Sequence, residues 1–327
     1  MCQHPQLPDG LLTLIQQARE HYEELPQERK RGKPRTYCGR SFLLLSVVAI
    51  TLRTFTASEL SRLLLRDAVL RRALGFVSVP HRTTIDRRLK KLLPEVEAQV
   101  AALGQQLSRE VQPDATQPQT SAIDGRMYAA LGPKWHRKDR LKGRVPPRLR
   151  NVDTESAWFK SGYRGWVQGY RLVLQGLVFP CPVPLWATWQ PNSVGEATIM
   201  AQALAEERLS VTSVLLGDTT FGSAALTNSY AQAGGWLLTP QQLPKERRSF
   251  KHDLYAYRKE TIELLFQRVI QACDLKACPS KGLNRNGAFV IASVWLYQII
   301  FLCNYRAGRA VAHIKEQLEL ARWRIAA

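Results

Sequence analysis

The chain has 327 residues, with 46 Lys plus Arg against 27 Asp plus Glu and a formal charge of +19. Hydrophobic residues at 45%, with 18 Pro and 20 Gly spread along the chain, exclude a disordered or collagen-like protein. At roughly 150 residues per domain the length predicts two domains, and the excess positive charge points to a polyanion partner, nucleic acid before membrane surface.

Residues 1–40 read as a polar arm that ends in a basic run, Arg29, Lys30, Arg31, Lys33 and Arg35, broken by Gly32 and Pro34. The opening Met-Cys-Gln-His-Pro shows no basic-then-apolar leader. No apolar run reaches the roughly 18 to 20 residues of a membrane span, so 43–50 and 288–303 are expected to be buried helices. The cysteines have no zinc spacing, since Cys273 and Cys278 lack a second pair or a nearby His, and a reduced, cytoplasmic state is expected.

From 41 to 115 the pattern is helical and forms an expected DNA-binding domain. A buried helix covers 42–52, and a second, capped by Ser58, carries Leu60, Leu63, Leu64 and Leu65. A third, capped by Thr83 or Thr84, turns Ile85, Leu89 and Leu92 inward and Arg87, Arg88, Lys90 and Lys91 outward. This basic helix either enters a DNA groove or presents a solvated face of a helical bundle.

Pro, Gln and Asp at 112–119 mark a boundary near 115, beyond which the periodicity changes. Strands are predicted at 121–128, 166–178 and 184–189, then a helix at 196–209, a strand at 211–216, a short helix at 224–233, a strand at 236–239 and a long helix at 259–272. Three strands followed by helix, strand, helix, strand and helix is an α/β succession with an antiparallel start, the ribonuclease H-like order. The expected catalytic domain is 116–327, a mixed sheet flanked by helices.

Asp124 lies inside the first predicted strand, and Asp218 directly follows the apolar fourth. A carboxylate there is costly unless paired, solvated or bound to a cation, and such strand ends line the ligand crevice of an α/β sheet. Each acid alone also fits a turn that bonds backbone amides. On the long helix, Ile262, Leu265, Phe266 and Val269 form the stripe facing the sheet. At 100° per residue Glu263 lies about 110° from its centre and Glu260 about 170° away, which selects Glu263 as a third acid. Three carboxylates suit two Mg²⁺ ions, with Mn²⁺ as a substitute, for phosphodiester displacement.

Between the first two strands, Lys134, Arg137, Lys138, Arg140, Lys142, Arg144, Arg148 and Arg150 fall within 17 residues. They form either a solvated loop or a phosphate-tracking arm, favoured beside a carboxylate cluster. Trp158, Phe159, Tyr163 and Trp166 can stack on unpaired bases or fill the core.

Several segments in this order carry a resemblance. They are Ala122-Ile123-Asp124-Gly125, Asp153 to Trp158 with Gly169-Tyr170-Arg171, Leu216-Gly217-Asp218-Thr219-Thr220-Phe221, Arg258 to Phe266, and Lys281-Gly282 with the apolar helix after it. Together they resemble the DDE transposases of bacterial insertion sequences, in the group with a Tyr-Arg-Glu-Lys signature around its final acid. The resemblance implies a ribonuclease H-like domain that cleaves element ends and joins the 3′-OH to target DNA. Asp124, Asp218 and Glu263 would be its metal ligands, Arg258 and Arg268 its contacts to end phosphates, double-stranded DNA its partner, and a homodimer its synapsed form. The sequence departs from the signature at named places. Thr220 replaces a small residue, four residues rather than three separate Arg258 from Glu263, and Ile270 stands where Lys is expected. Only 44 residues lie between Asp218 and Glu263, which leaves no room for a large β insertion and argues against a hairpin pathway. A nuclease on the same scaffold and an inert transposase-derived DNA-binding protein are the alternatives.

Overall fold

The computed structural model describes residues 9–24, 36–114, 116–162, 165–245 and 249–323. The basic run at 29–35, Tyr163 and the boundary residue 115 lie outside them. Among the described residues the chain begins with α1 (Asp9–Glu20), α2 (Gly39–Thr51), α3 (Ala57–Arg66), α4 (Ala68–Ala73), α5 (Arg82–Leu89) and α6 (Leu93–Val111). The expected arm thus contains a helix. In α1, Leu11, Leu14, Ile15 and Ala18 recur at three- and four-residue spacing, and the face they form is buried against α2. Caps fall two or three residues before the expected ones: Thr56 accepts from the Glu59 amide at 3.2 Å to start α3, and His81 caps α5. Ile85, Leu89 and Leu92 are buried as their spacing predicts, while Arg87, Lys90 and Lys91 are exposed.

The sheet comprises β1 (Thr120–Ala129), β2 (Ala157–Ser161), β3 (Gly165–Leu177), β4 (Val183–Pro191), β5 (Val214–Leu216) and β6 (Trp236–Leu238). A short helix, α7 (Arg137–Leu141), interrupts the long β1–β2 connection. β3 runs antiparallel to β1 on one edge, and on the other it pairs with β2 over its first residues and β4 over the rest. β5 adds to β1 in parallel and β6 to β5 in parallel. Three antiparallel strands continued by two parallel ones form the mixed sheet of the ribonuclease H-like order. β2, which the alternation pattern does not announce, is an extra ribbon on its outer edge.

Five further helices complete the chain: α8 (Glu196–Ala205), α9 (Ala224–Gln232), α10 (Phe250–Cys273), α11 (Leu283–Arg306) and α12 (Ile314–Trp323). Side chains alternate across the sheet. Ala122, Leu172, Leu174 and Leu216 join the core that includes α2, α6, α10 and α11, whereas Ile123, Val173 and Leu215 face α8 and α9. α10 begins nine residues before the predicted 259, so it carries Tyr255 and Arg258 as well as the apolar stripe. α11 is long and apolar enough to cross a membrane, contrary to the expectation above, yet nearly all of its apolar stretch is buried inside the protein. It packs against α2, α6 and β4, and Gln298 donates to the Val100 and Pro184 carbonyls at 2.9 Å each. The N-terminal helices and the sheet therefore share one apolar core.

Candidate metal centre and nucleic-acid surface

The parallel pairing of β1 with β5 ends at Ala122 and Leu216. Asp124 stands two residues beyond it, and Asp218 follows β5 by two, so both acids sit at the C-terminal end of the parallel strands, where a crevice opens. Asp218 fixes its own turn by accepting from the Thr220 amide at 2.8 Å, and Thr220 itself is exposed. Asp124 accepts from the Gly125 amide at 2.8 Å and from Arg258 of α10 at 2.9 Å.

The third carboxylate in this cluster is Glu196, the first residue of α8. Asp124, Glu196 and Asp218 each offer one oxygen, and these three oxygens lie within 4.8 Å of one another. Glu196 comes from the α8 side of the sheet and crosses β1 where that strand has no side chain: a Cβ on Gly125 would stand 2.3 Å from Glu196 Oε1 and 2.8 Å from its Cγ. Arg171 of β3 places Nη1 3.3 Å from the same Oε1, with only 2% of its side chain exposed.

Burial dominates the electrostatics. It raises the Asp124 carboxyl above its usual range against the pull of Arg258 and the Gly125 amide, and Asp218 and Glu263 add to the rise. Burial pushes Glu196 up to about 7, with Arg171 opposing and Asp124 and Asp218 reinforcing. The donor set fits a hard divalent cation. It is all oxygen, and ligands of an ion held at about 2.1 Å are at most about 4.2 Å apart, so a separation of 4.8 Å closes with a small contraction. A cation there would also relieve the convergence of like charges that raises both carboxyls.

Glu263, expected as the third ligand, is not in that group. Its carboxylate is exposed and lines, with Asp124, Arg126 and Gln267, an adjoining cleft of about 420 Å³. The reason is helical phase. Arg258 meets Asp124, and one turn later the same face of α10 carries Ile262, which is wholly buried. The acid one residue further along points to the rim. Tyr255, a turn before Arg258, sits beside it, and burial raises its hydroxyl above the usual range.

Glu196 escapes a sequence reading because an acid at the start of a helix is ordinary. The available signal was Arg171, a charged residue in an otherwise buried strand.

Of the expected nucleic-acid contacts, Lys134, Arg137, Lys138, Lys142, Arg144, Arg148 and Arg150 are exposed on the β1–β2 connection. Arg140 is tied inward: it donates to the Ser156 carbonyl and lies 5.7 Å from the Trp135 ring centre. Arg88 is half-buried over Phe42 at 4.9 Å, while Arg87 is exposed. Arg268 lies beside Tyr297 and Cys181 and not at the carboxylates. Among the aromatics, Trp158 donates to the Trp135 carbonyl at 2.6 Å and Phe159 packs on Arg171. Trp166, 51% exposed, remains a stacking surface, with Arg137 5.5 Å from its ring centre. The buried Asp153 anchors this region, accepting from the Tyr170 hydroxyl at 2.7 Å and the Gly282 amide at 2.9 Å.

No family model and no curated protein sequence matches the chain. Among solved structures, the piggyBac transposase synaptic complex with hairpin DNA aligns over 100% of this chain and 84% of its own, at 11% identity and a TM-score of 0.43. The Mos1 transposase paired-end complex with the left transposon end aligns over 84% of this chain and 82% of its own, at 11% identity and a TM-score of 0.22. A pre-cleavage Mos1 transpososome covers the same shares at 10% identity and a TM-score of 0.22.

Proposed function

We propose that the chain is a DNA transposase of the bacterial insertion-sequence type, which cleaves the ends of its element and joins the 3′-OH to target DNA. The observation that carries this reading is the convergence of Asp124, Glu196 and Asp218 to within 4.8 Å at the strand ends of a ribonuclease H-like sheet. The exposed cations of the β1–β2 connection and the charge of +19 support DNA as the substrate.

Asp124, Glu196 and Asp218 would hold one Mg²⁺, and Glu263, which shares the adjoining cleft with Asp124, would help to hold a second. When bound, the two ions would supply activation of the attacking oxygen and charge stabilisation for the leaving one. The rest falls to the chain's own residues. Asp124 serves both positions because it lies between the Glu196–Asp218 side and the Glu263 side. Arg258, paired with Asp124 in the free protein, exchanges that carboxylate for a DNA phosphate, a trade of one charge-assisted bond for another. Lys134, Arg137 and Lys138 track the backbone, so affinity and chemistry reside on different residues. Holding two element ends together calls for a symmetric dimer on DNA.

The deciding assay incubates the full chain with a labelled fragment from the end of its own element and Mg²⁺. Joined product supports the transposase. Nicked product without joining identifies a nuclease on the same scaffold, and binding without either product identifies an inert DNA-binding derivative.

A further inference from the structure

Arg171 is a guanidinium placed where water does not reach. It sits in β3 opposite Met127 of β1 and Gln190 of β4, on the sheet face shared by Val173, and 2% of its side chain is exposed. Arginine does not lose its proton in a protein, so this charge is costly to bury unless an anion balances it. Among the described residues Glu196 is the only carboxylate within 4 Å of it. Phe159 covers the guanidinium carbon at 4.6 Å, which holds the plane of the fork in place. The same Nη1 that meets Glu196 also donates to the Val194 carbonyl at 3.3 Å, so one group grips both the turn entering α8 and the first side chain of that helix.

We infer that Arg171 is a positioning residue for the metal centre: it holds the Glu196 carboxylate over Gly125, at the point where Asp124 and Asp218 converge. Without it, Glu196 would be a third acid brought beside Asp124 and Asp218 with only Arg258, which already pairs with Asp124, to offset their charge, and repulsion would turn it away from them. The inference rests on the reading of Asp124, Glu196 and Asp218 as metal ligands. It adds that the geometry of the third ligand is set from the sheet, by a residue that itself touches neither metal nor DNA.

Mn²⁺ binding to the full chain without DNA, followed by the paramagnetic resonance of the free ion, tests this separately from activity. Arg171→Met is expected to weaken Mn²⁺ binding by about 10- to 100-fold, the usual cost of losing a group that orients a ligand. Glu196→Gln should weaken it at least as much, and Arg171→Met combined with Glu196→Gln should bind no more weakly than Glu196→Gln alone, because Arg171 acts through Glu196. Arg171→Lys, which keeps the charge but not the fork, should fall between wild type and Arg171→Met, and it serves in its place if Arg171→Met does not fold. A folded Arg171→Met or Arg171→Lys protein with wild-type Mn²⁺ affinity overturns the inference, as do fully additive losses in the double variant. Asp218→Asn separates the two readings. If it loses Mn²⁺ while the Arg171 variants keep it, only the positioning role fails; if wild type binds no Mn²⁺, or Asp218→Asn binds as wild type does, the metal centre fails and the positioning role with it.

Discussion

Replacing Gly125 by Ala probes the centre with a single methyl group. The new Cβ would stand 2.3 Å from Glu196 Oε1, 2.6 Å from Cδ and 2.8 Å from Cγ, where ordinary contact begins at 3.4 Å. Three consecutive atoms are too close, so rotating the carboxylate alone gives no relief and the side chain must retreat by about 1 Å. If the fold resists, the strain costs about 1–3 kcal/mol of stability. If Glu196 yields, a misplacement of about 1 Å at a reacting centre costs about 10²-fold in rate. Gly195→Ala is the control: it lies next to Glu196, but its Cβ would meet only Thr198 Oγ1 at 3.7 Å. The assays are Mn²⁺ affinity, end cleavage and urea denaturation on all three proteins. Wild-type values for Gly125→Ala in all of them would falsify the placement of Glu196 over β1, and so would equal losses in Gly195→Ala.

Asp124→Asn and Asp218→Asn should lose end cleavage while DNA affinity, measured by anisotropy, stays within about threefold, because affinity comes from the exposed cations. Glu263→Gln should keep Mn²⁺ binding at the Asp124, Glu196 and Asp218 site, whereas Glu196→Gln loses it; the opposite pattern would return the third ligand to α10. In EDTA, stability should fall as pH rises. Glu196 ionises at about 7 in the folded chain against an ordinary value of 4.5, so the native state binds more protons between these values; its contribution is whole below about pH 4.5 and is lost as pH passes 7, on the order of 3 kcal/mol. Asp124, also raised by burial, acts in the same direction. A midpoint of thermal unfolding that stays level from pH 5 to 8, or one no flatter in Glu196→Gln, contradicts this. DNA affinity should drop steeply with salt, and each exposed cation removed among Lys134, Arg137, Lys138 and Lys142 that contacts a phosphate should lower the log–log slope by about one; an unchanged slope would move the DNA elsewhere on the protein.

Local pattern determined much of this protein. Runs such as 121–128 and 166–178 are strands because their apolar and β-branched residues suit a covered sheet, and both were legible within a few residues of β1 and β3. Asp124 and Asp218 stood out as candidates for a related reason: an acid at the end of an apolar strand contradicts its surroundings. α1 was obscured because Gln16, Gln17 and Arg19 dilute four buried apolar residues, and β2 because its five residues pair only with the start of β3. Glu263 was correctly placed on the flank of its helix, but a flank angle does not say which turn of α10 meets Asp124, and the docking of α10 puts Arg258 there. The identity of the third carboxylate was decided in three dimensions alone. Glu196 reaches its partners because β5 stops pairing at Ala122, Gly125 carries no side chain, and Arg171 stands buried on the neighbouring strand. Those conditions lie on separate segments of the chain, and only sheet register brings them to one place.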